Sequence, residues 1–204
     1  MPKTRITNAV RLELAPDSLV QSNLSGAAFT GDWLWVAGDE ACGLARLKRL
    51  APVGAESLRF GEVLDVPLAD LLDLPGKATD EADLEGMAVA DGYLWVVGSH
   101  GLKRKNAKPE LSSAEHARRL PKVTLDGARR VLAANRETVR FESALIESIS
   151  LPHGPGTNRA EALCGLPPSL SGGKPAWLAL YDAPGADRKE GECTVFGDVL
   201  TTLG

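Results

Sequence analysis

The strongest local cluster of ligating side chains is Asp80-Glu81-Ala82-Asp83-Leu84-Glu85. If Glu81 to Glu85 is extended, Glu81, Asp83 and Glu85 share one face, because side chains alternate along a strand. Carboxylates so close repel one another unless a cation or an arginine neutralises them, or one stays protonated. Ca²⁺ or Mg²⁺ suits such an all-oxygen set better than Zn²⁺. The spacing is not that of an EF-hand, whose loop glycine and distal glutamate are missing, and a solvated acidic turn is the competing account. Downstream, Ser99 and His100 are adjacent in sequence. Neighbours on a strand point to opposite faces, so adjacency alone does not make a nucleophile and a base. The GxSxG elbow is absent, since Gly98-Ser99-His100-Gly101 does not fit it. His100 as an anion or metal contact is the alternative to a catalytic role.

The elements that must position these groups come from a repeat. Leu24 to Glu40 (LSGAAFTGDWLWVAGDE) aligns without a gap to Leu84 to His100 (LEGMAVADGYLWVVGSH). Each copy reads as a β-hairpin. A short apolar strand leads to Gly31-Asp32 or Asp91-Gly92, dipeptides suited to primed turns because glycine takes positive φ readily. A return strand rich in aromatic and β-branched residues follows. A third copy, Glu161 to Asp182, matches after an insertion at its turn. Leu58 to Val66 alternates as a strand, whereas Gly43 to Leu50 fits a helical turn as well as a strand. Ser112 or Ser113 starts a short helix near 112–120 that Pro121 stops, and Arg129 to Ala134 and Val139 to Leu151 are the remaining strand candidates.

Repeated supersecondary units of this kind predict an all-β, β-propeller-like array of antiparallel blades. The units run over about 24–68, 84–151 and 158–204, and the strand Val10 to Leu14 is positioned to close the ring. Three signatures are fewer than the four or so blades a closed ring needs. The array is therefore expected to be shortened or incomplete, and to oligomerise if the ring stays open, because unpaired sheet edges are normally covered. Trp35, Trp95 and Trp177 are expected to pack between blades.

Two columns break the repeat: Ser25, Glu85 and Glu161 before the first hairpin strand, and Asp39, Ser99 and Asp182 after the second. Equivalent positions of blades surround a common axis, which would bring these residues to one end of it. Otherwise they are turn residues bonded to their own backbone, as Asp and Ser often are. The metal-ligand candidates are thus Glu81, Asp83, Glu85, Glu161, Asp39 and Asp182, with Ca²⁺ or Mg²⁺ as the ion. The catalytic candidates are His100, Ser99 and Arg104.

Composition narrows the partners. A net charge of −4 offers no general attraction for nucleic acid or an anionic membrane. The basic stretch 103–130 carries no interleaved aromatic residue, so a single-strand nucleic-acid platform is poorly supported. No window approaches the apolar run of a membrane-spanning helix. The N-terminus lacks the apolar core of a secretory signal. Cys42, Cys164 and Cys193 show no metal-type spacing and read as free thiols in a reducing compartment, so the expected location is cytoplasmic.

On these residues the chain resembles a bacterial family known as domain of unknown function 3616. The resembling motifs are Ser25-Gly26 with Trp35-Val36-Ala37-Gly38-Asp39-Glu40, then Glu81-Ala82-Asp83-Leu84-Glu85-Gly86, then Gly98-Ser99-His100 with Lys103-Arg104-Lys105. Asn158 to Leu163 and Leu180 to Pro184 resemble its closing segment. The resemblance implies a propeller-like all-β fold, distantly like phytase-type and esterase-like propellers, with no established activity. Three functions are compatible with these readings. The first is a protein that binds a small molecule or protein partner through a divalent-cation site. The second is a metal-assisted hydrolase of esters or phosphoesters in which His100 or Arg104 steadies the leaving oxygen. The third is an inactive remnant.

Overall fold

The computed structural model describes residues 5–72, 77–98 and 159–201, with side chains from Val10 onward. These residues belong to one compact unit, Met1–His100 with Ser150–Gly204. The strand candidates at 129–134 and 139–151 and the helix near 112–120 lie outside the described residues.

The first repeat copy folds as the hairpin β2 (Leu24–Thr30) and β3 (Trp33–Gly38). Its turn has positive φ at Gly31, as a type II′ turn requires at its first central position. In the second copy, β6 (Leu84–Ala90) and β7 (Tyr93–Gly98) are joined by Asp91 and Gly92, both at positive φ, the pattern of a type I′ turn. The third copy is β8 (Arg159–Gly165) and β9 (Ala176–Asp182), whose longer connection holds a one-turn helix, Pro168–Ser171, ended by Gly172 in the left-handed region.

The remaining strands are β1 (Arg5–Glu13), β4 (Gly43–Leu50), β5 (Leu58–Pro67), β10 (Lys189–Glu190) and β11 (Thr194–Thr201). The ambiguous segment Gly43–Leu50 is β4. Its ladders to β3 and β5 settle the conformation, with Ala45 and Leu47 fully buried in the core. Tertiary pairing outweighs a local pattern that fits either structure.

β2 to β5 form an antiparallel meander, and β8, β9 and β11 continue antiparallel to β1. These blade-like meanders share one nine-stranded sheet, ordered β2-β3-β4-β5-β1-β11-β9-β8, with β10 beside β11. The joint is the parallel pairing of β5 with β1. The sheet curls until β2 packs against β8, so it is nearly closed, like a barrel. The fold is all-β and propeller-like. Curling covers the inner faces of both meanders and brings the two end strands together, which limits exposed edges.

The curled sheet encloses the main core, including Val10, Leu12, Leu24, Leu34, Val36, Leu47, Phe60, Leu178 and Leu180, with Phe29 and Phe60 5.8 Å apart and tilted. The joint is also held by charge. The Glu13 carboxylate accepts Nε and NH2 of Arg59 at 3.0 and 2.8 Å, and Nε of Arg11 at 2.8 Å. These two guanidinium groups hold Glu13 below the usual carboxylate range, Arg59 contributing most.

A second, smaller cluster lies outside the curled sheet. Ala37, Leu44, Leu68 and Leu84 are buried there, with Trp35, Met87, Leu94 and Val96 packed against them. This cluster docks the β6–β7 hairpin against β2 and β3. Because Met87, Leu94 and Val96 point inward, the opposite face of β7 turns outward. Trp95 is consequently 57% exposed rather than packed between blades, and Tyr93 is 69% exposed. Trp35 and Trp177 are half-buried.

Candidate functional site: an acidic cluster at three β-bulges

The same irregularity opens all three hairpins. In β2/β3 the pairing passes from Leu24↔Gly38 to Gly26↔Ala37, leaving Ser25 out. In β6/β7 it passes from Leu84↔Gly98 to Gly86↔Val97, leaving out Glu85. In β8/β9 it passes from Ala160↔Tyr181 to Ala162↔Leu180, leaving out Glu161. Ser25, Glu85 and Glu161 are therefore the extra residues of three equivalent β-bulges. A bulge bends its strand and re-aims the extra side chain, so a polar residue is accommodated where the flanking positions are apolar.

The bulges are close to one another because β2 packs against both β6 and β8. Ser25 is 3% exposed, and its Oγ donates to the Leu84 carbonyl at 2.5 Å, tying the first bulge to the second. Backbones meet just beyond this contact. A Cβ on Gly26 would lie 3.2 Å from Met87 Cγ and 3.3 Å from Gly86 Cα, so only glycine sits there without displacing its neighbour.

The third bulge joins the group electrostatically. The Glu161 carboxyl is held above the usual carboxylate range, first by partial loss of water around it and then by repulsion from Asp182, Asp39 and Glu85, with Arg159 acting in the opposite sense. Four of the six acids expected as ligands, Asp39, Glu85, Glu161 and Asp182, thus share one electrostatic neighbourhood although they come from three hairpins. Asp39 also serves its own turn, its Oδ1 accepting the Glu40 N–H at 2.9 Å.

Glu81 and Asp83 are placed differently. Both lie in the exposed segment before β6. Asp83 has φ of 49°, in the left-handed region, and Glu85 is a bulge residue. The run from Glu81 to Glu85 is therefore not one extended strand, and its three carboxylates do not line up on one face. Among the described residues no three His, Cys, Asp or Glu side chains stand close enough to ligate one metal ion directly. His100, Ser99 and Arg104 lie outside the described residues.

A family model described as "Protein of unknown function (DUF3616)" matches residues 23–136 and 133–198. The chain belongs to that family. No curated protein and no solved structure matches it significantly. Among the described residues of this DUF3616 chain, no helix is long and apolar enough to cross a membrane.

Sequence reasoning passes over one polar group in the DUF3616 chain. Asp198, fully buried in β11, accepts from Tyr181 Oη at 2.5 Å and from Arg188 NH2 at 2.8 Å, and the guanidinium lies 3.9 Å from the Tyr181 ring centre. Burial, then the bond to Asp198, pushes the Tyr181 phenol well above its usual value. The one signal is a lone acid in the apolar run Val195–Leu200, which says that Asp198 needs a partner without saying which. Arg188 also lines a cavity of about 420 Å³ with Arg11, Glu56, Asp187, Glu190 and Phe196. No member of the acidic cluster lines that cavity. Its two guanidinium groups form ion pairs, Arg188 with Asp198 and Arg11 with Glu13 and Glu190, while Arg188 Nε and Asp198 Oδ1 are buried without a hydrogen-bond partner.

Proposed function

We propose that this protein is a binding module whose acidic cluster, Asp39, Glu85, Glu161 and Asp182, receives the cationic part of a ligand, a hydrated divalent cation first among them. The carrying observation is that three equivalent bulges meet around β2, where the Glu161 carboxyl is raised first by burial and then by Asp182, Asp39 and Glu85. Charges of one sign gathered on a folded framework store repulsion, and a bound cation relieves it. Asp182, Asp39 and Glu85 lie near enough to act on Glu161, yet no three of the described side chains are at direct-ligation spacing. An ion held there keeps water in its shell, as Mg²⁺ commonly does. The bulges support the reading further, since such irregularities often aim side chains at binding sites.

The test is thermal melting with millimolar Ca²⁺ or Mg²⁺ against an equal ionic strength of NaCl. Wild type should gain a few degrees with the divalent salts, and Glu161→Gln and Glu85→Gln should each lose most of that gain. Equal shifts with NaCl, or an undiminished gain in both variants, would sink the proposal.

A further inference from the structure

Among the described residues three arginines lie over aromatic rings, and two of them also hold a carboxylate. The Arg188 guanidinium is 3.9 Å from the Tyr181 ring centre and donates to Asp198 at 2.8 Å. That of Arg11 is 5.6 Å from the Phe196 ring centre and grips Glu190 with NH1 at 2.7 Å and NH2 at 3.1 Å. Arg46 is the exception. Its central carbon lies 4.3 Å from the Trp33 ring centre and 5.6 Å from that of Trp35, yet among the described residues no carboxylate pairs with it. Its Nε is buried without a hydrogen-bond partner.

The pairing of β4 with β5 explains the difference. Arg46 stands opposite Leu64, and the register then shifts before Lys48 meets Gly61. Glu62 lies in that irregularity with φ of 50°, and its Oε2 accepts Lys48 Nζ at 2.9 Å. Asp65, the other acid of β5, stands opposite Ala45 and accepts from Ser18 Oγ at 2.8 Å. The bulge thus hands one acid to Lys48, and the alternation of the strand takes the other to the opposite face. Residues 24–72 are described without a break, and around Arg46 the side chains of Lys48 and Glu62 are 50% and 59% exposed and Leu64 is 48% exposed. This face is open to solvent.

We infer that Arg46, held over Trp33 and Trp35, binds the carboxylate of a small organic acid, which takes the place that Asp198 and Glu190 fill on the other two arginines. Ring faces hold a guanidinium without using its N–H donors, and the fork of donors that remains matches a carboxylate. Charge selects the class of ligand. Glu62 neutralises Lys48, so Arg46 leaves one unpaired positive charge beside this pair, which balances a monocarboxylate better than a phosphate dianion. Leu64 and the half-buried Trp33 supply apolar contact for the body of the acid.

The probe is benzoate, titrated into the full chain by calorimetry at constant ionic strength, with uncharged benzamide and inorganic phosphate for comparison. Benzoate should bind at millimolar concentration, phosphate more weakly, and benzamide not at all. Arg46→Lys keeps the charge but removes the fork and should weaken binding about tenfold, while Arg46→Gln should abolish it. Glu62→Gln frees Lys48 on the same face and should strengthen binding about threefold, a gain that misfolding cannot produce. Glu161→Gln should bind benzoate as wild type does, which separates this site from the cation site proposed above. Absence of benzoate binding at tens of millimolar, equal binding of benzamide, or tighter binding of phosphate would overturn the proposal. So would undiminished binding by Arg46→Gln, no gain in Glu62→Gln, or loss of binding in Glu161→Gln.

Discussion

The β2–β3 and β6–β7 hairpins share a motif, a register and a bulge, yet they have opposite surroundings. The first contributes Leu34 and Val36 to the main core, while Leu94 and Val96 of the second reach only the edge of the smaller cluster. At the bulge, Ser25 is buried and bonded to the neighbouring hairpin, whereas Glu85 is exposed. The same local motif thus yields a structural element in one place and a presented surface in the other. Local pattern sets the hairpin; neighbours decide what it is for.

The largest expected difference is in the core. Leu34→Ala should cost about 2–5 kcal/mol, because Leu34 is fully buried and the curled sheet cannot collapse around the void. Leu94→Ala, on the partly covered hairpin, should cost roughly 1 kcal/mol. Chemical denaturation of both variants checks this, and equal losses would mean that the second hairpin belongs to the main core.

Next comes the matched glycine pair. Gly26→Ala forces its Cβ to within 3.3 Å of Gly86 Cα and should cost about 1–2 kcal/mol, while Gly86→Ala meets nothing within 4 Å and should be nearly neutral. Melting temperatures should separate them by about 2–8 °C, at roughly 2–4 °C per kcal/mol for a chain of this size. The bulge residues are a gentler test. Ser25→Ala removes the bond to the Leu84 carbonyl and should cost about 1 kcal/mol. Glu85→Gln should leave stability without added divalent salt almost unchanged.

The smallest effect sharpens the contrast from the third hairpin. The Glu161 carboxyl is raised in the folded state, so stability is lost as pH rises through the interval between its unfolded and folded values. Glu161→Gln should therefore melt slightly higher than wild type at neutral pH and lose that advantage on acidification to below about pH 4. A variant that melts lower at neutral pH would show that Glu161 has a favourable partner that outweighs the repulsion from those acids.

Much of the architecture is legible in the residues. Asp91-Gly92 and Gly31-Asp32 declare their turns through the positive φ that only certain residues take cheaply. The column Ser25, Glu85 and Glu161 stands out because polar residues interrupt an apolar repeat at one position. That these are bulges is not legible, since a bulge is a property of pairing with a partner strand. The expectation of one carboxylate face from Glu81 to Glu85 failed for the same reason: it assumed an unbroken strand where Asp83 turns left-handed. Trp95 was misplaced because an indole in a strand does not record which side of its hairpin meets the core.

By itself, then, the sequence determined the hairpins, their turns and the polar columns that interrupt them, all of which rest on interactions within a few residues. The tertiary structure alone decided that β4 is a strand, that β5 and β1 join the meanders in parallel, and that acids from three hairpins act on one carboxyl. It also decided which aromatic pair is covered by Arg46 and which is left to solvent. Long-range pairing and burial depend on residues far apart in the chain, and no local pattern contains that information.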